Sequence, residues 1–171
     1  MLHELPKSFY VVLLLILIAA NVSLYRTVLA PRALEISVLD VGEKGSAALM
    51  RAPNGKTILI DPGPDASILR ALGAALPPWQ RRIDTIILTG AKTSFVGGLP
   101  EVKGRYRVSK LIYIGDSSIP YGTRLTLASA VSLDIISPGT FTISYGVTSF
   151  KISSSTPKDV YFSNGITFTE N

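Results

Sequence analysis

The chain has 171 residues, 47% of them hydrophobic and 17% charged, with a formal net charge of +5. That is enough for one modest domain plus an unusually apolar remainder. It has no cysteine and one histidine, which excludes disulfides, thiolate metal sites and cysteine nucleophiles. The histidine is His3, ahead of a long apolar run, so nothing folded beyond that run has an imidazole for a metal, a general base or a Ser-His-Asp triad.

In chain order, residues 9–25 read FYVVLLLILIAANVSLY, without charge and apolar all round rather than along one stripe. As a helix rising 1.5 Å per residue they span about 26 Å, close to a hydrocarbon core of about 30 Å. Tyr10 and Tyr25 stand near the ends, and Lys7 and Arg26 flank them, the pattern of interfacial rings and snorkelling cations. The alternative is a cleaved signal peptide, but its small-residue site, Val28-Leu29-Ala30, comes late and precedes Pro31. The expectation is one uncleaved transmembrane helix with the lipid bilayer as partner, residues 1–32 forming anchor and linker and 33–171 a separate domain. Lys7 against Arg26 and Arg32 leaves its orientation open.

Beyond Pro31, β-branched runs are broken by Gly, Pro and Asn. Residues 34–40, 47–51, 56–61, 84–89 and 110–114 are predicted strands. Asn54-Gly55, between the second and third, is the preferred two-residue hairpin turn, in which both positions take positive φ. Residues 66–76 (ASILRALGAAL) are the one predicted helix of this domain, with Asp65 as cap and Pro77-Pro78 as stop. After Gly122 the runs VSLDII, FTISY, TSFKIS, DVYF and GITFT are again strand-like.

The order LEISVLDVGEKGSAALMRAPNGKTILIDPGP, LPPWQRRIDTIILT and VGGLPEVKGRYRVSKLIYIG resembles the metallo-β-lactamase-like domain of the ComEC family, the membrane proteins of bacterial DNA uptake. The resemblance covers residues 34–115 and, more loosely, continues to 151. In that family a DVGQGDA motif follows the first strand, ILIDGG closes the third, and THPHADHIGG follows the RRID strand. The resemblance implies an α/β class fold: a reduced, β-rich metallo-β-lactamase-like domain of αββα type, truncated, lying outside the cytoplasmic membrane. It implies DNA as substrate and a ComEC-type channel as partner.

This chain departs from the family at the metal ligands. In place of His-x-His-x-Asp-His it has Gly90-Ala91-Lys92-Thr93-Ser94-Phe95, rejoining the pattern at Val96-Gly97-Gly98. Gly90, Lys92, Ser94 and Phe95 thus occupy metal-motif positions without an imidazole or carboxylate. Ser46 replaces the DVGQGDA aspartate after a one-residue insertion at Glu43-Lys44, and residues 151–155 lack the aspartate that bridges the metals in the family's LLTGD segment. A dinuclear centre needs several ligands held by outer partners, so the expectation is a non-catalytic domain with no metal and no cofactor, the fold outliving the chemistry.

Asp40 and Asp61 are the motif acids that remain, each at a strand end before turn formers. Each is expected to accept turn N–H bonds; the alternative is a pair holding one hard cation such as Mg²⁺ or Ca²⁺. Lys92 and Ser94 suggest a hydrolase dyad, though no SxxK spacing is present. Residues 81–110 hold seven basic side chains against two acidic ones, a local +5. Of these, Arg81, Arg82, Lys103, Arg105, Arg107 and Lys110 are candidates for binding single-stranded DNA or anionic lipid, against an ordinary solvated face with Trp79 buried. If residues 104–110 are extended, Arg105 and Arg107 share a side and Tyr106 faces the other. The expectation is therefore a membrane-anchored binding or assembly component, linked to DNA uptake only through the resemblance. The competing readings are a hydrolase with a relocated site (Asp40/Asp61 or Lys92/Ser94) and a decayed relative without function.

Overall fold

The structure, a computed structural model, describes residues 7–29, 33–42, 45, 47–115, 119–153 and 155–170, with side chains of 9–20 within the first helix. The chain divides into two units, Met1–Pro31 and Arg32–Asn171. In the first, α1 runs Lys7–Leu29, and its described side chains, residues 9–20, are exposed. Those residues extend about 18 Å, and among the described residues no helix is long and apolar enough to cross a membrane. The side chains of residues 21–25, which would complete the expected span, lie outside the described ones.

The second unit runs β1 (Leu34–Val38), β2 (Ala48–Arg51), β3 (Thr57–Ile60), α2 (Ser67–Ala75), β4 (Arg82–Leu88), α3 (Thr93–Val96), α4 (Leu99–Arg105), β5 (Arg107–Tyr113), β6 (Arg124–Ala128), β7 (Val131–Ser137), β8 (Thr140–Tyr145), β9 (Thr148–Ile152), β10 (Val160–Ser163) and β11 (Phe168–Glu170). A seven-stranded sheet has the order β11-β10-β1-β2-β3-β4-β5, and a four-stranded sheet the order β6-β7-β8-β9. β1, β2 and β3 pair antiparallel, whereas β3, β4 and β5 pair parallel across the crossovers that carry the helices. β1, β3, β4 and β5 therefore point the same way, and their starts and ends lie along opposite edges of the sheet.

Side-chain alternation sorts the core into two clusters on the two faces of this sheet. Ile36, Met50, Ile58 and Ile60 meet Leu133, Ile135, Phe141 and Ile143 of the smaller sheet. Leu49 and Leu59 face the other way, onto Ile68 and Leu72 of α2 and Val102 of α4. β3 is buried along its whole length, as strands covered on both faces are. The outer face of the smaller sheet presents Ser132, Asp134, Thr142 and Ser144, and among the described residues no helix covers it. Among the described residues the domain thus has helix, sheet and sheet layers, one fewer than the αββα arrangement.

Three local expectations are corrected. The β2–β3 connection is not a turn with both Asn54 and Gly55 at positive φ. Gly55 alone is left-handed (φ 81), its N–H donating to Ala52 O, as in a three-residue loop with a bulge. Residues 104–110 are not one extended run, because α4 continues to Arg105 and Tyr106 caps it before β5 begins. Asp65 does not cap α2 directly: the cap position is Ala66, and Asp65 accepts the Ser67 N–H at 2.8 Å in the preceding turn.

Candidate functional site

The segments DVG, DPGP and VGG, which carry the resemblance, meet at the edge where β1, β3 and β4 end. Gly98 N–H donates to Gly63 O at 2.9 Å. A Cβ at Gly97 would overlap the Pro64 carbonyl, and one at Gly45 would lie 2.5 Å from the Pro64 ring. The loops approach so closely that only glycine fits at these positions.

Asp61 sits inside this junction, 0% exposed and left-handed (φ 51). Thr89, which follows β4, donates its N–H to Asp61 Oδ1 at 2.8 Å and its hydroxyl to Oδ2. The same hydroxyl accepts the Gly139 N–H from the β7–β8 turn at 2.8 Å, and Thr89 O accepts the Tyr121 hydroxyl. One carboxylate and one threonine thus join both sheets. Burial pushes the Asp61 carboxyl up to about 7, against the opposing pull of the Thr89 bonds. Burial also raises the Tyr121 phenol, followed by the proximity of Asp61 and Tyr113.

Asp40 is exposed and differently held. It accepts the Gly42 N–H at 3.3 Å, as the turn reading expects, but Lys158 Nζ also approaches it to 2.6 Å and Arg70 to 3.8 Å. The Lys158 hydrogen bond, then the Gly42 N–H, holds its carboxyl below the usual range. No sequence pattern signals the Lys158 contact, since the partners are 118 residues apart.

Between β4 and α3, Gly90 is buried where a Cβ would come within 3.0 Å of the Phe95 ring and 3.1 Å of Pro138. Lys92 is exposed, and Ser94 and Phe95 are half-buried. The carbonyl of Lys92 accepts the N–H groups of Phe95 and Val96 and so starts α3. Among the described residues Lys92 and Ser94 make no hydrogen bond to each other, and the dyad is not assembled. The donors present do not fit a dinuclear metal centre. Both oxygens of Asp61 are taken by Thr89, cations cover Asp40, and segment 90–95 offers one hydroxyl pair and no anionic or imidazole ligand. Among the described residues no group of three or more His, Asp or Glu could hold a metal. Glu43, Lys44, Ser46 and Ser154 lie outside the described residues.

The basic candidates lie at the opposite edge, where β4 and β5 begin. With seven residues in β4, the two edges are about 20 Å apart. Arg81, Arg82, Lys103, Arg105 and Arg107 line one shallow groove of about 570 Å³. Arg82 and Arg107 are register partners, and Arg107 N–H donates to Arg81 O. Arg82 is paired with Asp84 at 3.0 Å; among the described residues the other four have no ion pair. Lys110, opposite Thr85 on β5, is exposed but outside the groove. Tyr106 is buried, whereas Trp79 is 82% exposed, contrary to the alternative reading in which the indole is buried. Pro77-Pro78 follows the end of α2, and the direction of the turn is set by the Gln80 N–H bond to Pro77 O and by the Gln80 amide on Thr57.

No family model matches the chain, and no curated protein does. Among solved structures it is similar to the metallo-beta-lactamase fold protein YhfI of Bacillus subtilis, 11% identical with a TM-score of 0.46 over 81% of this chain and 61% of that one. It is similar to a metallo-beta-lactamase with a HARLDQ motif from Cronobacter sakazakii, 19% identical with a TM-score of 0.45 over 66% and 57%. A third is rubredoxin oxygen:oxidoreductase of Desulfovibrio gigas, 13% identical, TM-score 0.42, over 66% and 36%. The chain spans less than two thirds of the length of each.

Proposed function

We propose that this chain is a membrane-anchored, non-catalytic domain of the metallo-β-lactamase type, working as a binding or assembly component of bacterial DNA uptake. The observation that carries this reading is the fate of the motif positions. The DVG, DPGP and VGG loops pack together, while the residues at the ligand positions are committed elsewhere: Asp61 to Thr89, Asp40 to Lys158 and Arg70, and Phe95 to Gly90. The same engagements weigh against a hydrolase relocated onto Asp40/Asp61. The exposed apolar side chains of residues 9–20 support the anchor, and the link to DNA uptake rests on the resemblance.

Two measurements test this proposal. Carbonate extraction of expressing cells is expected to leave the full-length chain in the membrane fraction; release of a shortened soluble form removes the anchor. Elemental analysis of the purified full chain is expected to find no stoichiometric zinc or manganese. One equivalent of metal, lost in an Asp40→Asn/Asp61→Asn variant, overturns the non-catalytic reading.

A further inference from the structure

β1 starts where β3, β4 and β5 start, so the chain enters the domain at the edge that carries Arg81, Arg82 and Arg107. A cavity of about 430 Å³ is lined by Ala33, at the domain's entry point, and by Pro77 and Gln80, which flank the Trp79 turn.

Trp79 is held out of the fold by a built device. Two prolines fix φ, the turn is closed by Gln80 N–H on Pro77 O at 2.9 Å, and Gln80 Nε2 is tied to Thr57 Oγ1 at 2.8 Å. A large aromatic ring kept in water by such a turn is unusual, and indoles favour the headgroup level of a bilayer. Beside it, Arg81, Lys103, Arg105 and Arg107 have no ion pair among the described residues. The nearby Asp84 is occupied by Arg82, and Glu101, one helical turn before Arg105 in α4, makes no ion pair among the described residues. Such a surface complements anionic headgroups.

We propose that this edge is a docking surface for an anionic membrane, with Trp79 as its interfacial anchor and Arg81, Lys103, Arg105 and Arg107 as its headgroup contacts. The inference rests on the membrane-anchored reading, because the anchor is what brings the domain to a bilayer. The domain then lies on the membrane with its groove occupied by lipid, and the Asp61 junction, about 20 Å away along the strands, faces away from it.

Trp79 is the one tryptophan of the chain, so its emission reports the docked state directly. The full chain is reconstituted in vesicles of phosphatidylcholine alone and of phosphatidylcholine with about 30% phosphatidylserine. In the anionic vesicles the emission is expected to shift to the blue and to be quenched by bromine-labelled acyl chains. In neutral vesicles, and in an Arg81→Gln/Arg105→Gln/Arg107→Gln variant, it stays red. At about 1 kcal/mol per cation near the surface, that variant lowers the docked-to-free ratio on the order of a hundredfold. For the unaltered chain, raising the salt from about 0.1 M to about 1 M reverses the shift, as the screening length falls from about 10 to about 3 Å. Equal emission in both kinds of vesicle overturns the docking surface while co-sedimentation upholds the anchor. A chain left in the supernatant overturns both. A Trp79 response to a single-stranded oligonucleotide, with none to anionic vesicles, overturns docking in favour of nucleic acid.

Discussion

Asp61 combines three costs in one residue: a left-handed backbone, full burial and a carboxyl moved up to about 7. Because the folded chain holds this pKa above the ordinary 3.8, folding favours the protonated form. The stability this group contributes is fully present below about pH 4 and is lost as pH rises to about 7. Urea denaturation of the full chain in neutral detergent is expected to show a midpoint that falls across that window. Asp61→Asn, which tolerates the left-handed region, flattens the slope; an unchanged slope would show that Asp61 does not titrate there. Asp61→Ala loses both that tolerance and the acceptor for Thr89, and is expected to cost about 2–4 kcal/mol. The sequence marks Asp61 as a strand-end acid awaiting turn N–H groups. Its actual donor, Thr89, follows the neighbouring strand β4, 28 residues on, a pairing set by the parallel β3–β4 register that no local pattern encodes.

At the scale of elements, the central strands were legible because LEISV, ALMR, TILI and RIDTIIL are buried β-branched or aliphatic runs between turn residues. α4 was not, because LPEVKGR is seven residues with an internal glycine, and Val102 packing into the helix-side core is what holds it. Signals were nonetheless present: proline in the first turn, Glu101 beside it, and Lys103 and Arg105 at the far end. The absence of histidine beyond His3 was visible from composition, whereas the convergence of the three glycine loops needed the fold. Two glycines make opposite predictions. At Gly73, in α2, an added Cβ meets nothing within 4 Å, so Gly73→Ala is expected to stabilise by about 0.5–1 kcal/mol. At Gly97 it meets backbone, and Gly97→Ala is expected to destabilise by about 3 kcal/mol. Thermal melts followed by far-UV circular dichroism separate the two; equal and small shifts would sink the claim that the motif loops are closely packed.

Across the whole domain, one sheet serves two cores, so its three layers are expected to unfold together. Phe141, 1% exposed between the sheets, is far in sequence from α2, yet Phe141→Ala is expected to cost about 3–5 kcal/mol and to lower the melting of helix and strand signals alike. Separate transitions for the two signals would mean that the smaller sheet folds independently. The order of the larger sheet has a further consequence. It ends at β5, whose outer side pairs with no strand among the described residues and whose Leu111 and Tyr113 are 46% and 37% exposed. Such a border is a template onto which another polypeptide can add a strand. Arg107 and Lys110 place like charges along it, so two copies meeting border to border set cation against cation. Concentrated salt or a neutralising polyanion is therefore expected to weaken that repulsion and to favour strand addition at this border.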